Sequence, residues 1–162
     1  MSEMERMQFF SALEQEISRA EMAGKSILIQ MDANSKLGPN IIPGDPHQRS
    51  PNGRILAGII DRHGLVVVNG LMDKCEGIVT RKRVTKDATE ESVIDFVIIS
   101  DDIESSVESL LIDEKQQHGL TKIVKTKKGV KITQSDHNVL ITRLKIGWCK
   151  KVLNKRIELY NL

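Results

Sequence analysis

Cysteine, aromatic residues and unbroken apolar stretches are all scarce in this 162-residue chain. Its two cysteines, Cys75 and Cys149, lie far apart and belong to no Cys-x-x-Cys or Cys/His spacing. That excludes a disulfide framework and a structural zinc site, and it fits a reducing, intracellular compartment, either nucleus or cytoplasm. The first residues are charged and amphipathic, with no basic stretch ahead of a long apolar run, so neither a signal peptide nor a membrane span is expected. Proline occurs four times, at Pro39, Pro43, Pro46 and Pro51. This clustering confines irregular structure to one Pro-, Gly- and Asn-rich loop over residues 35–53. No internal repeat or low-complexity block is present.

What remains is the material of one ordinary domain: 40% of the residues are hydrophobic, enough for a real core. The net charge of +2 conceals an asymmetry, because 11 of the 24 basic residues but only two of the 22 acidic ones, Asp136 and Glu158, lie after residue 120. A cationic last quarter suits a polyanion such as nucleic acid, where each Lys or Arg displaces condensed counterions, although a solvated basic surface has the same composition.

Met7, Phe10, Leu13, Ile17 and Ala20 recur at three- and four-residue steps before Gly24, which predicts an amphipathic helix over residues 5–23. The run Ile27-Leu28-Ile29-Gln30-Met31 reads as a buried strand that delivers Asp32 and Asn34 to its end. Asn52 is the expected N-cap of a short helix through Ile55, Leu56, Ile59 and Ile60, stopped by Gly64, and residues 65–68 follow as a buried strand. Further strands are expected at 77–83, 93–99, 107–112 and 139–144. The segment between the first two of these, residues 84–91, reads as a charged connection, and a basic hairpin over 123–132 turns at Lys128-Gly129. Helix, strand, helix and then mostly strands is an α+β order with helices on one face of a sheet.

Four places set small polar or ionisable residues directly against buried strands: Asp32 with Asn34, Thr80 with Arg81, Asp95, and Ser135-Asp136-His137-Asn138. Burying a carboxylate costs free energy unless something compensates it, so each placement calls for a reason. Taken singly, each has a structural one: a turn after a strand, an ion pair, a surface turn. His63 in the last turn of a helix is read as structural, favoured there by the helix dipole. His47 and His118 fall in polar loops without evident partners.

Together and in order these segments resemble a known superfamily. Met31-Asp32-Ala33-Asn34 is similar to the Gly-Asp-x-Asn element of the endonuclease/exonuclease/phosphatase superfamily, Ser92-Val93-Ile94-Asp95-Phe96 to its Ser-x-Ile-Asp-aromatic strand, and Ser135-Asp136-His137 to its terminal Ser-Asp-His motif. Pro51-Asn52-Gly53-Arg54-Ile55-Leu56, His63-Gly64-Leu65 and Gly77-Ile78-Val79-Thr80-Arg81 resemble the non-LTR retrotransposon branch. The resemblance covers about residues 8–144. Met31 stands where the family has glycine and Ala33 where it has phenylalanine, and neither replacement touches a reactive side chain.

The resemblance implies the C-terminal half of a four-layer α/β/β/α sandwich, occupying residues 1–145 as one mostly antiparallel sheet with flanking helices, and a basic connector or tail over 146–162. The family's N-terminal half, with its principal metal-binding Glu, has no counterpart here. Both ends therefore read as cuts through a longer ancestral chain. An inner sheet face is expected to stand bare and to recruit the missing half, a complementing chain or a second copy. The implied activity is Mg²⁺-dependent phosphodiester hydrolysis on DNA, with Mn²⁺ as a substitute ion. Asp32 would position or deprotonate water, Asn34 would help hold water and phosphate, His137 would contact the scissile phosphate or transfer a proton, and Asp95 would orient His137. Asp136 is the implied metal ligand. Thr80, Arg81, Lys122, Lys125, Lys127 and Lys128 would lie along the nucleic acid. Two other readings stand beside it: a non-catalytic nucleic-acid-binding or dimerising remnant of such a domain, and a phosphatase or lipid phosphodiesterase.

Overall fold

The computed structural model describes residues 3–119, 121–126 and 129–145. Its elements are α1 (Glu3–Met22), β1 (Leu28–Asp32), α2 (Pro51–Arg62), β2 (Leu65–Val67), β3 (Cys75–Glu76), β4 (Arg81–Val84), β5 (Thr89–Ser92), β6 (Asp95–Ser100), β7 (Val107–Ile112), β8 (Thr121–Thr126), β9 (Gly129–Gln134) and β10 (Leu140–Leu144). This is a mixed α+β arrangement. Among the described residues no helix is long and apolar enough to cross a membrane.

The centre is β6. Its Asp-Phe-Val-Ile-Ile-Ser sequence is an apolar run rather than an alternation, as suits a strand covered on both faces. Phe96 and Ile98 point into a core made with Phe10, Leu13 and Ile17 of α1 and Leu56 and Ile59 of α2. Val97 and Ile99 enter a second core with Val107, Leu110 and Ile112 of β7. Each such side chain contributes about 1.5–3 kcal/mol on burial, so this strand anchors the molecule. β1 and β2 flank it antiparallel, in the order β1-β6-β2, while β10, β7 and β3 form a separate three-stranded sheet. The layers run helices, first sheet, second sheet.

This corrects the expectation of one sheet with a bare inner face. After β2 the 3₁₀ turn Val68–Gly70 takes the chain out of the first sheet, and β3 then pairs parallel with β7 rather than with β6. The second sheet covers the far face of β6. β1 is correspondingly an edge strand and not a buried one. Leu28 is 38% exposed, and Gln30 reaches across to donate a 3.3 Å hydrogen bond to the Leu140 carbonyl of β10.

Smaller differences have equally local causes. α1 buries Phe10, Leu13 and Ile17 as its periodicity predicts, but Met7 is 61% exposed. A 20-residue helix is about 30 Å long and a five-residue strand only about 17 Å, so the first turns overhang the sheet. The N-cap of α2 is Ser50 rather than Asn52: its Oγ accepts from Gly53 N at 3.0 Å, and Pro51 takes the first helical position, where a missing N–H costs nothing. The charged segment expected to be a connection contains β5, paired with β4 through Lys82–Glu91 at 2.8 Å and Arg83 opposite Glu90. Polar residues on both faces leave no period-2 pattern to read. β8 and β9 form the expected basic hairpin. Its Lys127 and Lys128, and residues 146–162, lie outside the described residues.

Candidate active site

The ladder between β1 and β6 ends on two carboxylates, because Asp32 is the register partner of Asp95. Like charges directly opposite one another destabilise a sheet, so something local must hold them. For Asp32 it is a turn: its Oδ1 accepts the Asn34 N–H at 3.0 Å while Asn34 adopts φ 44°, a left-handed conformation that asparagine tolerates well. The structural reading of this pair, a turn after a strand, is therefore realised. It leaves Oδ2 of Asp32 pointing elsewhere, 4.0 Å from Nε2 of His137.

Asp95 is held from three sides. The Thr80 hydroxyl accepts the N–H groups of Ile94 and Asp95 at 2.9 and 3.0 Å. On the other side, Asn69 Nδ2 donates to the Asp95 carbonyl at 3.2 Å and Asn69 Oδ1 accepts the Val97 N–H at 2.9 Å. β2 has left the sheet by this point, and the buried carboxamide of Asn69 takes over the ladder positions a strand would have filled. The third hold is on the side chain. Both Asp95 carboxylate oxygens lie 3.1 Å from His137 Nδ1.

His137 reaches this point because its segment crosses β4. Lys82 N donates to the Asp136 carbonyl and Asn138 N to the Thr80 carbonyl, each at 2.7 Å, making an isolated antiparallel bridge between Arg81 and His137. Buried Asn138 adds a 2.7 Å bond from Nδ2 to the Val79 carbonyl. Asp136 faces Arg81, with Nε at 3.0 Å and a second guanidinium nitrogen at 2.9 Å from its Oδ2.

Burial pushes the Asp95 carboxyl above its ordinary value, and the Asp32 charge adds to the rise, while Thr80 and His137 oppose it. The Asp95 side chain is 14% exposed, His137 29% and Asp32 41%, so water reaches Asp32 most readily. With Asp95 on Nδ1, His137 turns Nε2 towards Asp32 and the solvent. The arrangement can bind a polar group between an exposed carboxylate and an oriented imidazole, and it can move a proton there.

Asp32, Asp95 and His137 each offer one ligand atom within 4.8 Å of the others, so this trio could hold a metal ion. Asp136, the ligand implied by sequence resemblance, is not of that group, since its carboxylate takes the Arg81 guanidinium. Thr80, expected along the nucleic acid, is wholly buried and bonds to backbone instead. Arg81 remains partly exposed beside the site. Lys122 and Lys125 sit on β8, which pairs with the strand leading into Ser135-Asp136-His137, and their side chains are outside the described residues. Asn69 went unnoticed in the sequence; an asparagine closing the apolar run Leu65-Val66-Val67-Val68 was the available signal. His63 is the C-cap of α2, and its ring lies 2.9 Å from Glu21 and 3.5 Å from Glu14 of α1, a structural place.

No protein-family model matches the chain, and no curated protein matches it in sequence. A solved structure does. It is the endonuclease domain of TRAS1, a telomere-specific non-LTR retrotransposon, similar with a TM-score of 0.56 over 85% of this chain at 18% identity. At that identity the likeness concerns the fold. The match covers 52% of the TRAS1 domain, so this chain spans about half of its length.

Proposed function

We propose that this chain carries the catalytic carboxylate and histidine side of a metal-dependent phosphodiesterase of the endonuclease/exonuclease/phosphatase kind, acting on DNA. The observation that carries the reading is the array Asp32–His137–Asp95, in which a buried acid orients an imidazole whose other nitrogen faces an exposed acid. In-line hydrolysis needs a water held beside a base and positive charge at the phosphoryl oxygens. Asp32 holds and polarises the water, with Asn34 beside it. His137 Nε2 binds the phosphoryl oxygen or passes the proton, and Asp95 keeps the imidazole aligned. The exposed acid beside the imidazole suits a divalent cation that keeps several waters, Mg²⁺ or Mn²⁺. Asp32, the most exposed of the three, would be the principal ligand, and the ion would supply charge to the phosphoryl group.

A chain spanning about half of the TRAS1 domain supports a second reading, a nucleic-acid-binding remnant without turnover, in which a complementing chain supplies what the fold lacks. Nicking of supercoiled plasmid in Mg²⁺ separates the two. The expected outcome is slow nicking, abolished by chelation and by Asp32→Asn or His137→Ala. Plasmid binding with no nicking above background, unaffected by either substitution, favours the remnant.

A further inference from the structure

The loop between β1 and α2 is irregular yet rigidly built. Leu37, Ile42 and Asp45 are buried, and Arg49 Nε donates to the Leu37 carbonyl at 2.9 Å. Lys36 is tied at its backbone in both directions to Ser50, N–H to Oγ and carbonyl to N–H, each at 3.0 Å. A long loop with a fixed interior and no regular structure of its own is usually there for what it presents. This one presents Lys36 and His47. His47 is set by Asp45: its backbone N–H donates to Asp45 Oδ1 at 3.0 Å, and its ring Nδ1 stands 3.4 Å from that same fully buried carboxylate without a hydrogen bond. Nε2 is left for a ligand.

Both residues line a cleft of about 450 Å³ that adjoins the candidate active site through Asn34 and Arg81 and is bounded across by Glu90 and Glu91 of the β4–β5 ribbon. Arg81 is engaged by Asp136 and Glu91 by Lys82. Lys36 has no ion-pair partner among the described residues. The cleft therefore has an N–H donor side on the loop and an acceptor side on the ribbon, at the volume of one small ligand. A phosphate suits the first side, and the amino edge of a base suits carboxylate acceptors on the second.

We propose that this cleft seats the nucleotide adjoining the scissile phosphate, its phosphate on Lys36 and His47 and its base against the ribbon at Glu90 and Glu91. The inference rests on the phosphodiesterase reading for what occupies the neighbouring site, but it can fail separately. The test is an NMR titration of the isotope-labelled full chain with deoxycytidine 3′,5′-bisphosphate, whose base has an amino edge, and, in parallel, with inorganic phosphate. Saturable shifts at the His47 ring and Lys36 are expected. Lys36→Gln and His47→Gln should each weaken bisphosphate binding about tenfold, the loss of one charge-assisted bond, with amide dispersion unchanged. Shifts confined to Asp32 and His137, or none that saturate by millimolar ligand, would overturn the subsite and leave the nicking result untouched. Equal affinity for inorganic phosphate would overturn the nucleotide assignment. His47 shifts that persist in a chain that nicks nothing would sink catalysis and keep the pocket.

Discussion

Replacing Thr80 by Val tests whether the candidate site is held by backbone clamps. Valine has nearly the shape of threonine, so the wholly buried site keeps its packing and loses a hydroxyl. That hydroxyl accepts two N–H groups, those of Ile94 and Asp95, at 2.9 and 3.0 Å, and its own proton lies between the Ser92 carbonyl, 3.4 Å away, and the Asp95 carboxyl, whose charge it supports. Each N–H left without this acceptor costs about 1–3 kcal/mol, so the substitution should destabilise the chain by about 2–6 kcal/mol. That is a large share of the 5–15 kcal/mol typical of a domain. Urea unfolding followed by far-UV circular dichroism reads the effect. With a slope of about 2 kcal/mol per molar, the midpoint should fall by roughly 1–3 M at unchanged slope. Thr80→Ser keeps the acceptor and should recover most of the loss. A midpoint within about 0.3 M of wild type for Thr80→Val, well inside what the lost bonds demand, would refute the clamp.

Asp95→Asn should raise stability at neutral pH. Burial raises the Asp95 pKa in the folded state, so the acid's favourable contribution is complete below the unfolded value of 3.8 and is lost as pH rises through the higher folded value. The urea midpoints of mutant and wild type should therefore converge on acidification, and a mutant less stable at pH 7 than at pH 4 relative to wild type would contradict the sign. Gly53→Ala should cost about 3 kcal/mol or prevent folding, because a Cβ there would stand 1.8 Å from the Lys36 carbonyl oxygen; thermal melting reads it. Asn69→Ala should cost about 2 kcal/mol in the same urea assay, since it strips two partners from β6 opposite the site.

The parts of the fold legible in the sequence were those whose causes are local. The 3.6-residue spacing of Phe10, Leu13 and Ile17 is the core face of α1, and the apolar run of β6 marks a strand, although its burial on both faces was not anticipated. The motif residues Asp32, Asp95 and His137 stood out because ionisable groups beside apolar runs need compensation. The β4–β5 ribbon was not legible, since a two-stranded ribbon with polar residues on both faces carries no burial pattern. Nor was the division into two sheets, which depends on a three-residue 3₁₀ turn and on the two-residue strand β3. Sequence types alone also misplaced Thr80. A threonine beside an active-site strand can offer its hydroxyl to a substrate or to backbone, and only the position of the chain around it decides between them.

The placement of Asp95 explains why so much polar bracing surrounds one residue. It sits at the first position of β6, where burial of Phe96, Val97, Ile98 and Ile99 fixes the strand to both cores. Rigidity at that point orients His137, yet it also draws the carboxylate out of water and opposite Asp32, and both effects disfavour its charge. Most of the bracing acts on backbone: Thr80 and Asn69 satisfy the N–H and carbonyl groups of residues 94–97, while both Asp95 oxygens lie against the imidazole and the Thr80 hydroxyl also supports their charge. The sheet end is thus kept in place chiefly through its backbone, and the candidate site can carry an unfavourable charge because the hydrophobic strand behind it is well secured.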